Sequence, residues 1–455
     1  MASEDKSLLA IDIGSSTIRT NLFDIVNGRY RFISYGEALS TAGAPLFDIG
    51  EGVWRAVEDL EAKSLRKLLS AERGIITPST PDNAGVDQVV ATLSAGKPVN
   101  VIAVGLQREA SLQAVHQLAS TIYGRVTADI SLNDQRDSSE RINLIARSRP
   151  DLLLVGGGTN QGARKSLLNL IEVIGLASFL QDESQKPYVL YIGNEEMQSE
   201  VKSSLSRITN LHLAPNIQPQ MDHRSLYPAQ KKLSDICQEI RKKQSSGMSQ
   251  VLTWTDGQFA STATAFSRVI RFLSKKYEPD KGVLGVDIGS QSTILAAGFD
   301  GQETLKVFPH LGMGLGSTGI LKESSLEKVT RWLSAPISPD EVSNYLHNKA
   351  LYPHSIPTDQ KELTLEHALA RQALRIAVQH SRGEYPSPAR FTSSRLLPLV
   401  EPIIGSGKVL TQAPNLAQSA LILLDGLQPT GVSTLALDQN SLLPSLGAVS
   451  EINPV

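Results

Sequence analysis

The chain carries a single cysteine, Cys237, among 455 residues. One thiol excludes an internal disulfide and a cysteine-rich zinc site, and it fits a reducing compartment. The eight histidines show neither H-x-x-x-H nor H-E-x-x-H spacing, so a catalytic metal site of that kind is not expected. No apolar run approaches the ~20 residues that would span a bilayer, so no membrane span is expected. The opening MASEDKSLLAIDIG is acidic and polar before it turns strand-like, which does not read as a signal peptide. Together these absences make the cytoplasm the expected location. Charge of one sign is also missing: 44 basic residues stand against 46 acidic ones, for a net charge of −2. That balance argues against nucleic acid or an anionic membrane as the main partner. Low-complexity tracts, a G-x-S-x-G elbow and a D-x-H-x-x-G cobalamin motif are absent too.

What is present is an internal echo. LAIDIGSSTIRTNLFD, residues 9–24, returns as LGVDIGSQSTILAAGFD, residues 284–300. The two align through Asp12/Asp287, Gly14/Gly289 and Thr17/Thr293, with one extra residue in the second copy. Each reads as a strand, a small polar turn and a second strand. The separation is far longer than a solenoid period, so two domains that each begin with one hairpin are expected. Between the copies, apolar runs at 99–106, 151–155 and 188–192 alternate with amphipathic stretches at 109–123, 138–148 and 164–180. Alternation of this kind predicts a parallel sheet covered by helices. Residues 215–249 read as helix plus linker, and a boundary falls near 277–281. Further helices are expected at 325–333, 338–349, 363–380 and 415–424, with a strand near 434–438.

A turn of Gly, Ser and Thr exposes backbone N–H groups and hydroxyls that can wrap a phosphate oxygen. An aspartate at the strand end repels phosphate but can hold Mg²⁺, usually through water. Asp12, Gly14, Ser15, Ser16 and Thr17 are therefore assigned to one clamp. Asp287, Gly289, Ser290, Gln291, Ser292 and Thr293 form the other. One such turn alone is equally an ordinary hairpin; the matched pair favours a clamp. The segment IGSGKVLT at 404–411 follows a strand and opens a helix, which suits close approach of an adenine or ribose and nominates Gly405, Ser406 and Gly407. It is not a Walker A loop, because Pro402 and Val409 break that pattern. GGGTNQG at 156–162 suits either a ligand at a helix N-terminus or a tight structural turn. GLGSTG at 314–319 lacks a framing βαβ unit and reads as a mobile loop near the second clamp. Glu195 follows an apolar run and is, with Asp287, a catalytic candidate for orienting water, while Asp12 is a catalytic candidate through the metal; a solvated helix start explains Glu195 equally.

With these residues in hand, the chain resembles the actin, sugar-kinase and heat-shock-chaperone ATPase superfamily. More narrowly it resembles the glutamate mutase accessory proteins of the MutL/GlmL type. The resemblance runs through IDIGSSTIRTNLFD, VNVIAVGL, PDLLLVGGGTNQGARKSLL, DIGSQST and SPDEVSNYLHNKALYP. It is densest from LVEPIIGSGKVLTQAPN to LLPSLGA. It implies two ribonuclease-H-like α/β domains around a nucleotide cleft, domain I over 1–280 with an α/β insertion at about 80–250, and domain II over 281–455. It implies ATP/ADP and Mg²⁺ as ligands, with Asp12 and Asp287 organising the metal. It further implies a chaperone-like role toward an adenosylcobalamin-dependent mutase as protein partner; a homodimer is left open. The second motif departs from the family's usual DIGGATTD by one glycine and the following acid, which points to binding with weak hydrolysis and leaves ATPase activity open. A small-molecule kinase and a nucleotide-dependent assembly protein are the competing expectations.

Overall fold

Apolar-rich runs buried on both faces build the first hairpin. In the computed structural model, which describes residues 6–72, 74–182, 185–220, 224–278, 280–333, 336–385 and 397–453, β1 (Leu8–Ile13) turns into β2 (Thr17–Val26). A third strand, β3 (Arg29–Leu39), pairs antiparallel with β2, while β4 (Gln88–Leu93) lies parallel to β1 on its other side.

The chain then enters a separate unit, Lys97–Lys243. Its strands are β5 (Val99–Val104), β6 (Gly124–Ile130), β7 (Leu152–Val155), β8 (Tyr188–Tyr191) and β9 (Asn210–Leu213). All pair in parallel, in the order β6-β5-β7-β8-β9. The central strands β5, β7 and β8 are almost continuously apolar because both faces are buried, whereas the edge strands β6 and β9 carry polar, partly exposed residues. Val101, Leu152 and Leu154 face one core with the helix Tyr227–Gln244, whereas Ile102, Leu153 and Val155 face another with the helix Arg164–Phe179. The stretch expected to be helical at 109–123 is shorter, a π-turn at Arg108–Leu112 running into the helix Gln113–Ala119. Residues 221–223, inside the expected linker, lie outside the described residues, as do Pro279 at the expected boundary and the final Pro454 and Val455.

Back in the first unit, the short β10 (Ala260–Ser261) pairs with β4 and completes the sheet β10-β4-β1-β2-β3. The second sheet follows with β11 (Gly282–Ile288), β12 (Thr293–Phe299), β13 (Gln302–Phe308), β14 (Val400–Ser406) and β15 (Leu435–Leu437). Its order is β13-β12-β11-β14-β15. Each sheet therefore has three antiparallel strands in meander and two more parallel to the first, which is the ribonuclease-H-like order; two such sheets make the actin-like arrangement. Each fifth strand feeds a helix, Thr262–Ser274 after β10 and Leu442–Ile452 after β15. These two helices press together closely: a side chain on Gly447 would meet the Ala265 carbonyl.

The hairpin registers correct one detail of the repeat. Ile13 pairs with Ile18, and Ile288 with Thr293. The two turns are thus equal in length, and the counterpart of Thr17 is Ser292 rather than Thr293. The register holds no additional residue within the paired strands either, since Phe23 corresponds to Gly298 at the same offset as Asp12 to Asp287.

Candidate functional site

Strand parity sets where each aspartate points. On β1, Leu9, Ile11 and Ile13 enter the core of the first sheet, whereas Leu8 and Ala10 face Ala265 and Ala448 on the two paired helices. Asp12 belongs to that second set. On β11, Leu284, Val286 and Ile288 enter the other core, and Gly285 lies against Phe266 and Ile270 of the helix Thr262–Ser274. Asp287 shares the face of Gly285.

Each aspartate then meets a hydroxyl from the strand beside it. Asp12 pairs in register with Thr92 of β4, whose Oγ1 donates to Oδ1 at 2.6 Å. Asp287 pairs with Ser406 of β14, whose hydroxyl donates to its carboxylate. Thr262, at the start of its helix, adds a second donor to Asp12 at 2.9 Å. A third acid, Asp438, follows β15 and accepts from the N–H groups of Leu442 and Leu443 at 2.7 and 3.0 Å, which caps the helix Leu442–Ile452.

Three acids near one another without a full complement of cations perturb each other. Burial raises the pKa of Asp12 against the pull of Thr92, Thr262 and Arg19. Asp287 is pushed up to about 7, first by burial and then by the charges of Asp12 and Asp438. Asp438 is raised chiefly by burial. The cation facing them is Arg19, the register partner of Asp12 on β2. It donates to Glu37 at 2.7 Å and to the Ser441 hydroxyl. Glu37 also pairs with Lys408. Burial works to raise the Glu37 pKa, but Lys408 and Arg19 more than offset it and hold the carboxyl below its usual range.

The two turns meet. The Ser16 hydroxyl donates to Ser290 Oγ. Gly14 N–H closes its turn on the Thr17 carbonyl at 3.0 Å, as Gly289 does on Ser292 at 2.9 Å. Ser15 and Thr17 are half-buried at the first turn. Gln291 donates across to the Gly96 carbonyl at 3.4 Å, and His354 hydrogen-bonds the Ser16 backbone. The glycine-rich segment after β13 wraps the second turn, with Met313 N–H on the Gly289 carbonyl and those of Gly314 and Gly316 on the Ser290 carbonyl. Its place beside the second clamp is as expected.

Some nominated residues take other positions. Thr293 is fully buried and its hydroxyl is engaged by the Leu311 carbonyl at 2.7 Å, so it offers no open donor. Ser406 serves Asp287, Gly407 sits against the Ile288 carbonyl, and Gly405 is enclosed by Leu410, Leu423 and Leu437. Glu195 lies in the separate unit, on a 3-10 turn after β8, where it accepts from Asn216 N–H at 3.0 Å. Thr92, Thr262, Arg19, Glu37, Asp438 and Lys408 were not picked out as part of this site. Arg19 had a readable signal, since alternation from Asp12 across the hairpin puts it on the same face. Asp438 ends a strand just before a helix start, a capping signature.

The family comparison decides what this geometry belongs to: residues 8–455 match the model described as MutL protein. The chain belongs to the MutL family of glutamate mutase accessory proteins. No curated protein matched it. Among solved structures, a diol dehydratase-reactivating factor in nucleotide-free form is 9% identical, covering 99% of this chain and 100% of that one at a TM-score of 0.40. A glycerol dehydratase reactivase is 9% identical over 99% and 100% of the two chains, at 0.37. Component A of the Acidaminococcus fermentans (R)-2-hydroxyglutaryl-CoA dehydratase is 10% identical over 97% and 95%, at 0.33.

The acidic centre of this MutL-family chain suits a hydrated cation better than a caged one. Among the described residues no group of three or more His, Cys, Asp or Glu side chains is placed to hold a metal directly. Yet the charges of Asp12 and Asp438 help raise the Asp287 pKa, and Asp12 adds to that of Asp438, a repulsion that a divalent ion would relieve. Mg²⁺ commonly keeps several waters and takes only one or two carboxylates. No helix among the described residues is long and apolar enough to cross a membrane.

Proposed function

We propose that this MutL-family chain binds Mg·ATP at the paired hairpins and uses the nucleotide state to act, chaperone-like, on a protein partner. The partner by this reading is an adenosylcobalamin-dependent carbon-skeleton mutase. Residues 1–280 form actin-like domain I, with the α/β insertion, and 281–455 form domain II. The single observation that carries the reading is the duplication of the site: Asp12 and Asp287 occupy the same strand position, each with a hydroxyl donor on the neighbouring strand, and the turns beyond them touch at Ser16 and Ser290.

In this reading the N–H groups and hydroxyls of Gly14, Ser15, Ser16 and Thr17 hold phosphate oxygens from one side. Gly289, Ser290, Gln291 and Ser292 hold them from the other. Asp12 and Asp287 orient the hydration shell of Mg²⁺, which when bound would neutralise phosphate charge. Exchange of ATP for ADP removes one set of contacts between the turns, which biases a two-state element that a partner can sense.

Titration calorimetry with ATP and ADP, with and without Mg²⁺, tests the site on the intact chain and on Asp12→Ala and Asp287→Ala. Micromolar binding that disappears in both variants supports the two-turn site and leads to an ATP-dependent pull-down with the mutase. No nucleotide binding in the intact chain would sink the reading.

A further inference from the structure

The separate unit carries a second cluster of unfilled donors. Its parallel sheet reverses strand order between β5 and β7, and in open α/β sheets ligands settle outside the strand ends at such a point. The loops there are in contact, because a side chain on Gly157 would meet Leu106 after β5, and one on Gly193 would meet the Gly157 backbone.

Within the loop after β7, the carbonyls of Gly157 and Gly158 are occupied while the N–H groups of Gly157, Gly158 and Thr159 are not. Gly157 C=O accepts from Asn194 N–H at 3.1 Å, and Gly158 C=O from Asn216 Nδ2 at 3.0 Å. Among the described residues, no protein acceptor meets the N–H groups of Gly157, Gly158 or Thr159. Gly158, at φ +73°, holds a left-handed turn at this point, with Gly157 buried and Gly158 and Thr159 half-buried. The helix Arg164–Phe179 starts directly after, with no side-chain cap on its first N–H groups.

The independent observation is Asn194. It is fully buried, and its Nδ2 has no partner. Its Oδ1 accepts from Glu196 N–H at 3.0 Å. Rotating the amide would turn Nδ2 toward that N–H, so the orphan is necessarily the donor. Its Cβ lies 3.4 Å from the place a Cβ on Gly158 would take, so the side chain stands directly against that turn. An unpaired buried amide donor is destabilising unless something accepts from it. The neighbouring acids are already engaged: Glu195 by Asn216 N–H, and Glu196 facing Arg164 at 3.8 Å.

We infer that Gly157, Gly158, Thr159, Asn194 and the start of the helix Arg164–Phe179 form a binding site for an anionic oxygen group, a phosphate or carboxylate of a small ligand. It is distinct from the paired hairpins and does not rest on their function. The test is NMR on the full chain labelled with ¹⁵N-glycine, titrated separately with inorganic phosphate and with acetate. The Gly157 and Gly158 amides shift saturably with at least one probe, and which probe acts separates the two sources. Asn194→Asp keeps the acceptor for Glu196 N–H but replaces the free donor with charge, and it weakens that binding about tenfold or more. Exposed Lys165→Glu, at the helix start, serves if the first variant fails to fold, and it also weakens binding. Shifts confined to Gly14 and Gly289, no saturable shift at Gly157 and Gly158, or unchanged affinity in the folded variants would each overturn the inference.

Discussion

The Ser16 hydroxyl donates to that of Ser290, 274 residues farther along the chain. This contact joins two turns whose strands belong to different sheets, and it lies next to the two aspartates that the repeat places in matching positions. Ser16→Ala removes the donor and leaves Ser290 to Leu315 N–H. The expected loss of stability is about 1 kcal/mol, read by urea unfolding. Calorimetry should show a larger loss of Mg·ATP affinity than the same change at exposed Ser203.

Asp12→Ala should weaken Mg·ATP binding far more than binding of Mg²⁺-free nucleotide, because a carboxylate facing phosphate helps only through the cation. Equal losses under both conditions would remove the metal role.

Arg19 holds Glu37 and Ser441 and faces Asp12, Asp287 and Asp438. Arg19→Met leaves half-buried acids without that charge, and a loss of about 2 kcal/mol is expected. Added Mg²⁺ should restore part of the melting temperature in this variant and much less in Arg55→Met, whose pair with Glu51 is on the surface.

Asp287 gives a pH prediction. Its folded pKa is about 7 against 3.8 when unperturbed, so between those values the folded chain holds the proton more tightly than the unfolded one. Stability from this group is therefore present at low pH and is lost as pH rises toward 7. Asp287→Asn should remove that component, so that variant minus wild-type stability, measured without Mg²⁺, grows from pH 4 to 7. A flat difference would refute the shift.

Gly316 lies so close to the second turn that an added Cβ would stand 2.1 Å from the Gln291 carbonyl. Gly316→Ala should cost about 1–3 kcal/mol and lower nucleotide affinity with it. Gly43→Ala, with open space around its Cβ position, is the control that should do neither.

Much of this architecture could be read from pattern. The repeated hairpin needed only its strand–turn–strand pattern, and β5, β7 and β8 only their short apolar runs bounded by turn signals. Asp12 and Asp287 could be read for the same reason, since a carboxylate one residue before a strand end is a local feature. The turn register could not: both GSST and GSQST can close a hairpin, and only cross-strand pairing decided that Ser292, rather than Thr293, answers Thr17. Thr293 was misjudged because a hydroxyl looks the same in sequence whether it opens to a ligand or serves the Leu311 carbonyl.

The sequence alone determined the elements and the residues that repeat, because propensity, alternation and glycine placement act over a few neighbours. The tertiary structure decided the company those residues keep. Thr92, Thr262, Asp438 and Ser406 converge on the aspartates from strands and helices far apart in the chain. Asn194 is left without an acceptor beneath Gly158 for the same reason. Burial, charge coupling and orphaned donors are properties of packing, and packing is set by long-range contacts that no local pattern records.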